Sequence, residues 1–263
     1  MSHNESSAAN IDLMARRLLD ARASGIGVQA VDILTPTDIA SAMHIQALVQ
    51  ERAKQTVTGW KVAIGPEQIP VSAPLVQIFR SPAEINLFPN CLIELEVAFI
   101  LNRDLPKKGT PYDRSEILDA IGNVFLGIEI IGGRFQEPKG VPFLSFLSDH
   151  LGNRAFVVGD DLPRTVIDDL GDLMCDVSFN GSVLHSSKAA HPTRNPIAPL
   201  LAYANQPNDY LGGLKANQIV TTGSICGVIP IENGGVIRAA LGDLGRVSIV
   251  FEGRGELTGF LVR

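Results

Sequence analysis

Cys91-Leu92-Ile93-Glu94-Leu95-Glu96-Val97-Ala98-Phe99-Ile100-Leu101 is an apolar run interrupted only by two carboxylates. Read as a β-strand, its side chains alternate with period two, so Glu94 and Glu96 leave from one face about 7 Å apart. Two acids so placed repel each other and are expensive to desolvate unless a cation lies between them. A third acid, Glu129, stands alone among apolar residues in Phe125-Leu126-Gly127-Ile128-Glu129-Ile130-Ile131-Gly132-Gly133. Three such carboxylates suggest a hard divalent cation, Mg²⁺ or Mn²⁺, held by oxygen ligands with positions left open. The plainer alternative is a strand wet on one side, with Glu94 and Glu96 facing water.

Lys61 sits in Gly59-Trp60-Lys61-Val62-Ala63-Ile64-Gly65, which reads as a buried strand. An ammonium there is costly unless carboxylates or an anionic substrate pair with it; the alternative is a lysine that snorkels to the surface. Further apolar runs at Leu75–Phe79, Ala155–Val158, Ile219–Thr222 and Arg246–Phe251, separated by Pro, Gly or Asn-Asp clusters, also read as strands. Asn180-Gly181, between Met174–Phe179 and Ser182–His185, is the dipeptide a two-residue hairpin turn favours.

Before Thr56 the texture differs. Ile11, Leu13, Met14, Leu18 and Leu19 recur near helical spacing until Ser24-Gly25, after a small, polar start expected to fray. Thr35-Pro36-Thr37-Asp38 offers capping oxygens to a second helix through Ile39, Met43, Ala47 and Leu48. These helices form an α-hairpin over residues 1–56, and a β-rich part follows over 57–263 with helices near Ser115–Phe125 and Asn195–Ala204. The absence of strict β-α-β alternation argues against a doubly wound sheet.

With 263 residues, 45% of them hydrophobic, and 28 acidic against 22 basic side chains, the chain is globular and lacks a basic face for nucleic acid. No apolar run approaches the roughly 18 to 20 residues that cross a bilayer, and the start lacks the basic-then-apolar order of a signal peptide, so no membrane is expected and the cytoplasm is the default compartment. Cys91, Cys175 and Cys226 show no zinc spacing and are expected to be buried thiols.

The order Gly59-Trp60-Lys61, Ile93-Glu94-Leu95-Glu96-Val97-Ala98, Asp104-Leu105-Pro106, Gly127-Ile128-Glu129-Ile130, Ser148-Asp149, Val157-Val158-Gly159 and Thr222-Gly223-Ser224 resembles the 2-keto-4-pentenoate hydratase and 2-oxohex-3-enedioate decarboxylase family of the fumarylacetoacetate hydrolase superfamily. The resemblance covers nearly the whole chain. It implies an α+β fold, the helical hairpin followed by a mixed β-roll of the fumarylacetoacetate hydrolase type, packed as one compact unit. It implies that Glu94, Glu96 and Glu129 hold Mg²⁺ or Mn²⁺, that Lys61 is the catalytic lysine beside the substrate, and that Asp149 and Ser224 bind substrate. For Asp149 the residues alone equally allow a capping or turn role, and for Ser224 a plain turn.

The implied reaction is hydration of a 2-hydroxy-2,4-dienoate to a 4-hydroxy-2-keto acid, as in degradation of aromatic compounds by meta-cleavage. Decarboxylation of 2-oxohex-3-enedioate (4-oxalocrotonate), C–C hydrolysis of an acylpyruvate and a non-catalytic partner subunit are the alternatives. In either of the first two, a pKa for Lys61 brought towards neutrality would suit proton transfer. The resemblance further implies a homo-oligomer and association of a hydratase with a decarboxylase relative. Departures from the family pattern cluster away from the acids: Ala63-Ile64-Gly65-Pro66 replaces Leu-Thr-Ser, Asp149-His150-Leu151-Gly152 replaces Asp-Asn-x-Ser, and Ile78-Phe79-Arg80-Ser81 replaces Leu-Phe-x-Asp. His150, beside Asp149, is the histidine to watch for a hydrolytic site, although a simple loop position explains it as well. Arg80 and Arg134 are candidates for a second substrate carboxylate, or else surface or structural residues.

Overall fold

In the computed structural model, which describes residues 3–253, the chain opens with helices α1 (His3–Ser24) and α2 (Ile39–Ala53). Asp38 caps α2, its side chain accepting the Ser41 N–H at 2.7 Å, as the sequence predicts. Met14, Leu18 and Ala21 of α1 pack against Ile45 and Val49 of α2, which closes the hairpin. α1 begins at His3, ahead of the Ile11 from which the apolar spacing predicts it.

The remaining elements follow in chain order: β1 (Gly59–Ile64), β2 (Pro70–Leu75), β3 (Ile78–Arg80), β4 (Ala83–Asn86), β5 (Cys91–Leu101), α3 (Arg114–Ala120), β6 (Ile121–Ile131), α4 (Phe143–Ser148) and β7 (Asn153–Leu162). They continue with β8 (Met174–Phe179), β9 (Ser182–Lys188), α5 (Ala198–Asn205), β10 (Ile219–Ile231), β11 (Gly235–Leu241) and β12 (Gly245–Glu252). A seven-stranded sheet runs β2-β1-β10-β5-β6-β7-β3 and a five-stranded one runs β4-β12-β11-β8-β9. Both mix parallel and antiparallel pairs. Pro70 and Pro74 lie in β2, an edge strand, where a missing N–H costs least. Asn180 and Gly181 join β8 to β9 with φ of 49° and 85°, the positive values the hairpin turn requires.

The main core lies between the sheets. Ile93, Leu95, Val97 and Phe99 of β5 point into it together with Val247, Ile249 and Phe251 of β12. Period two therefore sends Glu94, Glu96 and Ala98 to the opposite face. A one-residue slip would drive both carboxylates into the core, so the pattern itself fixes the register. On the opposite face Ala98, Phe125, Phe156 and Val158 form a second apolar cluster. Nearby, Ala42 and Met43 of α2 and Leu147 of α4 cover Val71 and Ala73 of β2. The hairpin is tied down by the Gln46 amide, which donates to the Ser72 and Leu147 carbonyls, and by Arg22, whose guanidinium meets the Asp149 carboxylate at 3.2 Å.

Gly127 of β6 has no room for a side chain, since a Cβ there would lie 2.3 Å from Cζ of Phe156. Gly127→Ala is expected to destabilise the fold by about 2 kcal/mol through overpacking, measured as a lower urea midpoint at unchanged slope.

Three sequence expectations need correction. The helix predicted over Ser115–Phe125 stops at Ala120, because Ile121, Val124 and Phe125 join the ladder with β5 instead. The strand predicted over Leu75–Phe79 is split into the end of β2 and the start of β3, on opposite edges of the larger sheet. The strand seen as Ile219–Thr222 runs on to Ile231 through two irregularities in its pairing with β5. Cys91 and Cys175 are buried free thiols and Cys226 is half-buried. Among the described residues no helix is long and apolar enough to cross a membrane.

Candidate metal centre

The β5–β6 ladder places Glu94 directly opposite Glu129 and Glu96 opposite Gly127. Carboxylate oxygens of Glu94, Glu96 and Glu129 consequently come within 4.8 Å of one another. Lys61 reaches the same spot from β1, with Nζ 2.5 Å from Glu129 Oε2 and 3.5 Å from Glu94 Oε2. Glu96 and Glu129 are fully buried and Lys61 nearly so. The wet-strand and snorkelling alternatives are thereby excluded.

Burial and the neighbouring Glu129 charge push the Glu96 carboxyl well above the usual carboxylate range, against a partial pull from Lys61. Burial likewise raises Glu129, opposed chiefly by Lys61. Burial alone would lower the Lys61 ammonium, but Glu129, Glu94 and Glu96 outweigh it and raise it above the ordinary lysine value. In the metal-free site these acids therefore hold Lys61 as a cation, away from the neutrality that would suit proton transfer.

Three ionised carboxylates and one ammonium leave a formal charge of −2 in a dry place, which one divalent cation cancels. The donor set also fits, since among the described residues both buried Glu96 oxygens lack a side-chain hydrogen-bond partner and carboxylate oxygen is what Mg²⁺ or Mn²⁺ prefers. Glu129 differs, because its Oε1 accepts from Asn153 Nδ2 at 2.8 Å while Oε2 faces Lys61.

The other expected site residues divide. Ser224 lies opposite Glu96 in the β10–β5 ladder, but its hydroxyl donates to the Gly227 carbonyl at 2.8 Å and accepts the Cys226 N–H, the turn role left open by the sequence. Asp149 is not brought to the carboxylates with a free oxygen. Its Oδ2 accepts the Arg134 backbone N–H at 2.6 Å, and its Oδ1 faces the Arg22 and Arg134 guanidinium groups at 3.2 and 3.5 Å. A fully buried acid paired with two arginines is engaged in structure here, the capping or turn type of role that the residues alone allow. Arg134 is equally committed, since it also donates to the Asn153 carbonyl at 2.6 Å. Arg80 is exposed on the edge strand β3. His150 is buried beside these arginines, and burial with the Arg22 and Arg134 charges pushes its pKa well below the usual value, so it stays neutral.

Asn153 and His191 escape sequence reasoning. His191 is buried, its Nε2 3.3 Å from the Thr222 hydroxyl and its Nδ1 accepting the Thr193 N–H. Burial lowers its pKa to about 4. For Asn153 only the strand pairing reveals the contact.

A family model described as the fumarylacetoacetate (FAA) hydrolase C-terminal domain matches residues 38–259. The 2-keto-4-pentenoate hydratase of Burkholderia vietnamiensis is 25% identical over 260 residues, covering 92% of this chain and 97% of that protein. The TodF product hydratase of Pseudomonas putida is 23% identical over 256 residues, covering 89% and 92%. A solved structure of 4-oxalocrotonate decarboxylase from Pseudomonas putida G7, complexed with magnesium and adipate, superposes with a TM-score of 0.76 at 18% identity, covering 96% of this chain and 99% of that one. At that identity it shows a shared fold. From the family match over most of its length and the fold it shares, this chain belongs to the fumarylacetoacetate hydrolase family.

Proposed function

We propose that the protein is a metal-dependent hydratase that adds water to a 2-hydroxy-2,4-dienoate (2-keto-4-pentenoate) and yields a 4-hydroxy-2-keto acid. One observation carries this reading: three carboxylates and a lysine converge with a formal surplus of −2 when all are charged, and both buried Glu96 oxygens lack a side-chain hydrogen-bond partner among the described residues. Glu94, Glu96 and Glu129 would hold Mg²⁺ or Mn²⁺. When bound, the cation supplies Lewis-acid stabilisation of negative charge developing on the substrate's 2-oxygen.

The chain's own residues do the rest. Lys61 holds a proton at Nζ beside Glu129, so it offers positive charge to the substrate's oxygens, and would release that proton more readily once the charge of the carboxylates that raise its pKa is offset. Ketonisation takes the proton from the 2-hydroxyl and delivers one to C5; hydration then adds hydroxyl at C4 and a proton at C3. The apolar wall of Ala98, Phe125 and Phe156 keeps bulk water from the deep side of the site, which strengthens each charge interaction there. The relatives named as hydratases over almost the full chain support this reading above decarboxylation. So does Arg134, which is already engaged and leaves no free cation at that position for a second substrate carboxylate.

The test is incubation with 2-hydroxypenta-2,4-dienoate and with 2-oxohex-3-enedioate, with and without EDTA. Hydration is expected to bleach the ultraviolet absorbance of the first without release of carbon dioxide, and EDTA is expected to stop it. Carbon dioxide release from the second alone would mean decarboxylation, and turnover indifferent to EDTA would remove the metal from the proposal.

A further inference from the structure

Among the described residues, Glu129 is the one of the three carboxylates held by a neutral side chain. Asn153, at the first position of β7 and only 2% exposed, donates from Nδ2 to Glu129 Oε1 at 2.8 Å. The pairing of β6 with β7 explains how it gets there. Ile130 lies opposite Ala155, yet Ile131 lies opposite Asn153, so one residue of β7 is bulged out of the ladder. A bulge of this kind re-aims side chains beside it. Arg154, the bulged residue, turns away to the Gly132 carbonyl at 2.8 Å and the Phe88 ring, while Asn153 is turned onto Glu129.

The backbone of Asn153 is fixed in turn. Arg134 donates to its carbonyl at 2.6 Å, Asp149 holds Arg134 through both backbone and guanidinium, and Arg22 of α1 holds Asp149. A buried polar chain thus runs from the N-terminal hairpin to one oxygen of the carboxylate trio. With Oε1 accepting from the amide, Oε2 is the oxygen turned towards Lys61.

We infer that Asn153 is a positioning residue: it fixes Glu129 in one rotamer, with Oε2 aimed into the metal centre, and the Arg22–Asp149–Arg134 chain holds it in place. This rests on the metal reading proposed above. Partners that orient a metal ligand typically change affinity by 10- to 100-fold when removed.

Asn153→Leu keeps the branched shape and removes the donor; Asn153→Ala removes it without adding bulk, and decides the matter should the leucine variant fail to fold by circular dichroism. Mn²⁺ binding to the full chain is measured by calorimetry, and bound Mn²⁺ by electron paramagnetic resonance. Wild type is expected to bind one Mn²⁺, and the folded variant to bind it at least about tenfold more weakly, with an altered spectrum even at saturation. A merely structural asparagine would not move that spectrum. Affinity within twofold of wild type and an unchanged spectrum would overturn the inference alone, whereas a wild-type protein that binds no Mn²⁺ would overturn the metal reading and this inference with it.

Discussion

Glu96→Gln is expected to abolish turnover and the melting-temperature rise caused by Mg²⁺, while the metal-free variant melts higher than metal-free wild type. The two effects have one origin. Glu96 is fully buried, neither of its oxygens has a side-chain hydrogen-bond partner among the described residues, and oxygens of two further carboxylates lie within 4.8 Å. Without a cation, its ionised form is a net cost to the fold, and a neutral amide of the same shape relieves the charge for a gain of about 1 to 3 kcal/mol, or a few degrees in a chain of this size. With a cation, those same oxygens become the binding energy, and an amide that loses the charge loses it. Turnover is expected to fall by about 10³-fold or more, the scale of losing the main electrostatic stabilisation.

The pH dependence has a definite sign. Burial raises Glu96 and Glu129 above their unfolded values, so above about pH 4.3, where an unfolded glutamate ionises, the native state binds more protons than the unfolded one. Metal-free stability therefore falls as pH rises from there, and less steeply in the Glu96→Gln variant. Scanning fluorimetry across pH, with and without Mg²⁺, measures both. A variant that still gains a Mg²⁺-dependent shift would exclude Glu96 as a ligand.

The acids were legible because each is a lone charge where a buried strand wants an apolar residue. Period two in Glu94-Leu95-Glu96 shows that they share a face without any knowledge of the sheet. That Glu129 stands opposite Glu94 is a property of the antiparallel register, which no local pattern contains. Lys61 was legible for the same reason as the acids, but not its charge state, which depends on how many carboxylates surround it. The pairing of Asp149 was not legible, since an acid in a turn looks free and Arg22, its partner, lies on a helix remote in sequence. Ile121, Val124 and Phe125 fit helical spacing as well as a strand, and only the facing β5 decides between them. Asn153 was invisible because a bulge, rather than an alternation, aims it.

Lys61→Met is expected to lower kcat by about 10² to 10⁴-fold, the range typical of a lost acid–base group, while Mn²⁺ still binds. The ammonium lies 2.5 Å from Glu129 Oε2, an oxygen the cation also needs, so the two compete for it, and the methionine variant is expected to bind Mn²⁺ at least as tightly as wild type. Its metal-free form should be the less stable one: three carboxylates, two of them fully buried, then face one another without a cation, and removing one partner of a buried pair costs about 3 to 5 kcal/mol unless the acids take up protons instead. Metal-free stability thus moves down on losing Lys61 and up on neutralising Glu96, although both variants are inactive. General disruption of the site would lower it in both cases, so the opposite signs are what identify a charge-balanced centre. Saturating Mn²⁺ restores the melting temperature of the Lys61→Met variant but not its turnover, separating the proton carrier from the ligands. An unchanged kcat would remove Lys61 from the chemistry, and a variant unable to bind Mn²⁺ would make the lysine a structural support of the trio.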